Sequence, residues 1–89
     1  MFALSSEPID VAALRSRMTR QDCGGFATFE GWVRDFNEGK PVTKLEYEAY
    51  PELASLEAER ILEEALRRHP VRLAKVVHRV GTLDLTDVA

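Results

Sequence analysis

A single cysteine, Cys23, in 89 residues excludes an intramolecular disulfide, and with only His69 and His78 beside it no cluster has zinc-ligand spacing. The expected setting is therefore reducing and cytoplasmic. Basic residues are outnumbered and scattered: 12 Lys and Arg against 15 Asp and Glu leave a net charge of -3. General nucleic-acid binding needs a concentrated positive face for phosphate neutralisation and is not expected. No apolar run approaches bilayer-spanning length, and no basic segment followed by an apolar run opens the chain, so membrane insertion and export are not expected either. Also missing are a serine, histidine and aspartate arrangement, a phosphate-binding glycine loop, a dinucleotide fingerprint and internal repeats.

What is present is 45% hydrophobic and 30% charged residues, the composition of one domain over residues 1–89 with a real but modest core. A chain this small exposes much surface, which a partner or a second copy would bury.

Phe2 and Leu4 alternate with small residues and predict a short strand over residues 2–6, ended by Glu7 and Pro8. Asp10 then caps a helix carrying Val11, Leu14 and Met18, which stops before Cys23, Gly24 and Gly25. Residues 25–35 read as a strand covered on both faces, with Ala27, Phe29, Gly31 and Val33 on one side and Phe26, Trp32 and Arg34 on the other. Gly31 inside it suggests a bulge or a close approach. After a turn-rich connection over residues 36–41, residues 42–50 alternate cleanly and are expected to pair antiparallel with residues 25–35 as a hairpin. Pro51 opens a long helix to His69 with an apolar stripe of Ala54, Ala58, Ile61, Leu62, Ala65 and Leu66. Glu63 with Arg67 and Glu64 with Arg68 have i,i+4 ion-pair spacing. Pro70 stops this helix, residues 71–80 form another strand, and Gly81 permits a turn toward residues 83–88. The class is α+β, and the element order by itself is that of a ferredoxin-like sandwich.

The stretch from Thr28 to Gly39 carries the most chemistry. Arg34 offers a planar fork of donors suited to a phosphate or carboxylate; the plainer reading pairs it with Glu30 or Asp35. Trp32 and Phe36 are candidates to wall a flat heterocycle, or else are core or interface residues. Asn37 and Gly39 serve either a ligand or a turn. Cys23 has no neighbouring base and reads as a small buried residue, and His78 reads more simply as a structural hydrogen-bonding residue than as a proton-transfer group. No catalytic residue is identified.

Three blocks, Phe26-Ala27-Thr28-Phe29-Glu30-Gly31-Trp32-Val33-Arg34-Asp35-Phe36-Asn37-Glu38-Gly39, Leu45-Glu46-Tyr47-Glu48-Ala49-Tyr50-Pro51 and His78-Arg79-Val80-Gly81, together resemble the large, catalytic subunit of molybdopterin synthase. The resemblance covers nearly the whole chain, as an N-terminal portion or truncated form, and implies an α/β-hammerhead fold in place of the ferredoxin-like one. It further implies an enzyme of molybdenum cofactor biosynthesis, in which a small ubiquitin-like subunit carrying a C-terminal thiocarboxylate delivers sulfur to cyclic pyranopterin monophosphate. The expected assembly is a homodimer of large subunits with a small subunit at each end. By the same resemblance, Trp32, Val33 and Arg34 contact the substrate, Arg34 near its phosphate, and Phe29 is an aromatic near that pocket. No cofactor or metal is implied. The family's catalytic lysines lie in a continuation beyond the equivalent of Ala89, and Lys40, Lys44 and Lys75 match none of them, so the 89 residues alone are expected to be inactive and incomplete at the C-terminus; the alternative reading is a noncatalytic protein-interaction or regulatory module that pairs through an exposed sheet edge.

Overall fold

The computed structural model describes all 89 residues, with helix and strand mixed in an α+β architecture. The order is β1 (Phe2–Ser5), α1 (Val11–Ser16), β2 (Phe36–Asn37), β3 (Lys40–Pro41), β4 (Lys44–Tyr47), α2 (Pro51–Arg68), β5 (Val76–Arg79) and β6 (Gly81–Asp84). The strands form three two-stranded sheets: β1 parallel to β5, β2 antiparallel to β3, and β4 antiparallel to β6. A ferredoxin-like sandwich would join its strands in one sheet, so that alternative fails on pairing.

The long helix forms where its apolar spacing predicts. Pro51 sits in its first turn, where a missing amide hydrogen leaves nothing unpaired, and Glu52 and Arg67 with Arg68 complement its dipole at the two ends. Its buried side is narrower than the expected stripe. Ala54, Ala58 and Ala65 are half-buried and Leu62 is buried, whereas Ile61 and Leu66 remain exposed. Of the two predicted ion pairs only Glu64 with Arg68 closes, at 2.8 Å. The helix packs on β1, and the Phe2 amide donates to Glu59 Oε1 at 2.8 Å.

The Asp10 cap forms as predicted, its Oδ1 accepting from the Ala13 amide at 3.0 Å. The helix it starts ends at Ser16, well before Cys23, because α1 buries no residue and six residues alone cannot offset the cost of nucleation.

The largest departure concerns residues 25–35. They form no continuous strand, and their only ladder contact is a bridge between Trp32 and Val88. The expected hairpin partner is engaged elsewhere: β4 pairs with β6 in the register Leu45 to Leu83 and Tyr47 to Gly81. Only Gly31 to Val33 find a neighbour, in residues 86–89, and before them no segment closes the backbone hydrogen bonds that an apolar alternation needs to become a strand. Residues 21–30 are therefore exposed throughout, including Cys23, which is not the buried residue the sequence suggests. Gly31 is likewise no close approach, since a Cβ there would meet only the Phe29 ring at 3.9 Å.

The core is thin. Val33, Leu62 and Leu83 are its buried apolar residues, with Leu83 fully enclosed, and Arg79 is its one buried charged residue.

Candidate functional site

Val33 anchors the candidate segment. It is 4% exposed, its amide donates to the Asp87 carbonyl at 3.1 Å, and its carbonyl accepts from the Thr86 amide at 2.7 Å. The Ala89 amide donates to the Gly31 carbonyl at 2.8 Å, and the Ala89 carbonyl accepts from the Arg79 amide at 2.7 Å. Residues 86–89 thus lie between the Gly31 to Val33 stretch and the end of β5. They join two of the three sequence blocks, the one holding Trp32 to Arg34 and the one holding His78 and Arg79, through backbone hydrogen bonds.

Around this scaffold the side chains differ in kind. Trp32 is exposed, and its Nε1 donates to Glu30 Oε1 at 3.3 Å. Arg34 is exposed beside the β2–β3 hairpin and donates through Nη2 to Asn37 Oδ1 at 2.6 Å. It pairs with neither Glu30 nor Asp35: the ion pairs of the molecule are Arg20 with Asp22, Arg60 with Glu57, and Arg68 with Glu64. At two of these surface pairs the donating guanidinium holds a carboxyl below its ordinary range, Asp22 by Arg20 and Glu57 by Arg60. The charge of Arg34 is left uncompensated.

Arg79 is the residue that sequence reasoning passed over. It is 7% exposed, belongs to no ion pair, and its Nε has no hydrogen-bond partner. Only Nε is cut off in this way, so the buried charge lacks an acidic partner but its terminal nitrogens are not enclosed, and an anion reaching them would be favoured by the charge. The available signal was a charged residue at the inward end of the β-branched run before Gly81. His78 beside it behaves structurally. Its Nδ1 lies 2.6 Å from the Arg79 carbonyl, which can only accept, so that nitrogen carries the proton; the ring stands edge-on to Tyr47 at 4.8 Å between centroids.

Phe29 is 92% exposed. It edges a cavity of about 320 Å³ between α1, residues 26–30 and β5, which is lined largely by apolar side chains such as Ile9, Leu14, Met18, Phe26 and Val77. A second, open cavity of about 560 Å³ lies against Arg15, Thr19, Arg20 and Cys23, where the Arg15 guanidinium sits 5.6 Å from the centre of the Phe26 ring. Neither cavity is lined by Trp32, Val33 or Arg34. Phe29 and Arg34 therefore share neither of these cavities, and Arg34 is exposed. No three His, Cys, Asp or Glu side chains gather as a metal site, and no helix is long and apolar enough to cross a membrane.

The paired blocks match one family along almost their whole length: the model for the MoaE protein aligns with residues 4–89. The chain belongs to the MoaE family. Similar curated relatives bear the name molybdopterin synthase catalytic subunit. The one from Halalkalibacterium halodurans is 35% identical over 88 residues, covering 99% of this chain and 56% of the relative. That from Thermoplasma volcanium is 37% identical over 84 residues, covering 94% and 61%. That from Pyrococcus abyssi is 42% identical over 81 residues, covering 91% and 55%. This MoaE chain thus spans somewhat more than half the length of these relatives. Its α+β architecture agrees with the class that the sequence predicts.

Proposed function

We propose that this MoaE-family chain serves molybdenum cofactor biosynthesis as the substrate-binding portion of a molybdopterin synthase catalytic subunit. In the reaction, sulfur passes from the C-terminal thiocarboxylate of a small ubiquitin-like subunit to cyclic pyranopterin monophosphate, twice per molecule of molybdopterin. The observation that carries the reading is Arg34: an exposed guanidinium with no carboxylate partner, next to an anchored Val33, inside the block that resembles the family's substrate contact.

The residues divide the work by their chemistry. Arg34 holds the substrate phosphate through charge-assisted hydrogen bonds, which are stronger than neutral ones and match a planar fork of donors. Val33 fixes the backbone from which Arg34 projects, and Trp32 offers an exposed aromatic face to the flat pterin. Arg79 adds a second positive charge on the same backbone-paired scaffold. None of Lys40, Lys44 and Lys75 is assigned to the sulfur-transfer step, so these 89 residues bind precursor without completing the reaction.

Partners follow from the same reading: a thiocarboxylated small subunit, a second copy of the large subunit, and a cytoplasmic location for the assembly. The extent of exposed surface supports association. A monomer of this mass is expected to expose about 5,200 Å², against the 7327 Å² of this chain.

Reconstitution tests the division of labour. Mixed with the thiocarboxylated small subunit and the pterin precursor, the 89-residue chain is expected to bind precursor and release no molybdopterin, while a full-length relative under the same conditions does. Product formed by the short chain alone would refute the assignment of sulfur transfer to groups outside it.

A further inference from the structure

The partner of Arg34 is unusual in what it is not. Glu30, Asp35 and Glu38 all lie within four positions of it, yet the guanidinium makes none of these ion pairs and donates instead to the neutral Oδ1 of Asn37 at 2.6 Å. Glu30 is occupied by the Trp32 indole. Asn37 is itself held in place. It is the last residue of β2, paired with Lys40 across a turn whose central residues Glu38 and Gly39 have φ of 50° and 79°, and the Val42 amide extends the ladder to the Asp35 carbonyl at 2.8 Å. Both turn residues are left-handed, as in the two-residue hairpins whose twist matches that of the flanking strands.

We propose that Asn37 is a positioning residue that holds Arg34 ready for the substrate phosphate through a neutral oxygen, so that the guanidinium is oriented without its charge being cancelled. This rests on the reading of Arg34 as the phosphate contact. A carboxylate at the same place would orient Arg34 equally well but would neutralise it and repel the incoming anion. An apolar side chain would leave the charge intact but free to move, and ordering it would then cost affinity at each binding event. Asparagine avoids both losses. One of the five guanidinium donors is spent on Asn37, and the amide N–H donors of Asn37 remain free to face the same anion.

The test is titration calorimetry of the 89-residue chain with cyclic pyranopterin monophosphate at several salt concentrations, for wild type, Arg34→Ala, Asn37→Ala and Asn37→Asp. Thermal unfolding of each variant accompanies it, to show that the fold is retained. Arg34→Ala is expected to weaken binding by roughly ten- to a hundredfold, the loss of a charge-assisted contact. Asn37→Ala is expected to weaken it by about two- to tenfold, the cost of ordering a free side chain, with the salt dependence of wild type because the charge is still present. Asn37→Asp is expected to weaken it at least as much as Arg34→Ala and to flatten the salt dependence, because the pair is then neutral. A merely structural Asn37 would move affinity in both variants alike and leave the salt response unchanged. If Arg34→Ala loses binding while both Asn37 variants match wild type, the positioning role is wrong and the phosphate contact stands. If wild type does not bind, or Arg34→Ala binds as wild type does, the phosphate contact fails and the role of Asn37 falls with it.

Discussion

The exposed cation at Arg34 and the buried one at Arg79 invite opposite treatments. An exposed arginine hydrogen-bonded to a neutral side chain costs the fold little, whereas Arg79 has its Nε enclosed without a partner, which costs the desolvation of that donor. Replacing a buried charge by an apolar side chain of similar length removes that cost. Arg79→Met is therefore expected to leave the chain as stable as wild type or slightly more so in denaturant unfolding, while weakening precursor binding. A large loss of stability with unchanged binding would make Arg79 a structural residue. At this scale much of the candidate site was legible. Arg34 could be singled out because an arginine at the junction of an apolar stretch and a turn has a recognisable chemistry. Its partner could not, because choosing Asn37 over Glu30 or Asp35 depends on the bend of the chain at Asp35 between the two residues.

At the scale of elements, local signals held and non-local pairing did not follow from them. The Asp10 cap, the Pro51 start of α2 and the half-buried alternation of β4 each depend on residues within one or two turns of chain, and each is found. The strand expected over residues 25–35 depends on a neighbour. Period-two alternation says that a segment suits a strand, not which segment will pair with it, and β4 pairs with β6 instead. Beyond the turn that Gly81 permits, residues 86–89 tie Gly31 and Val33 to Arg79 by backbone hydrogen bonds that carry no side-chain signature. The β5 to β6 connection can be tested through Gly81, whose φ of 95° lies in the left-handed region with open space around a built Cβ. Gly81→Ala is expected to destabilise by about 1–2 kcal/mol through backbone strain alone, measured by denaturant unfolding. Gly31→Ala, where the nearest contact is 3.9 Å away, is expected to change stability by no more than about 0.5 kcal/mol. Equal effects would mean that the turn at Gly81 is not the constrained position.

For the whole molecule, the thin core and the extended shape have one physical consequence. The radius of gyration is 14.9 Å, with extents of 44 × 27 × 25 Å, against about 12 Å for a compact chain of this length. The surface in excess of a compact monomer is about 2,000 Å², comparable to what a protein interface buries in total. Among its large apolar side chains are Phe29, Trp32, Tyr50, Leu53 and Leu56. Self-association or capture of the small subunit is expected at micromolar concentrations, read as a concentration-dependent sedimentation coefficient; a monomer at all concentrations and in the presence of the small subunit would argue against both partners. The central claim, that the Arg34 segment receives an anionic pterin, is tested most directly by calorimetric titration of cyclic pyranopterin monophosphate into wild type and Arg34→Ala. Saturable binding by wild type that falls at least about tenfold on substitution is the predicted result, and equal affinity in the two proteins would contradict it.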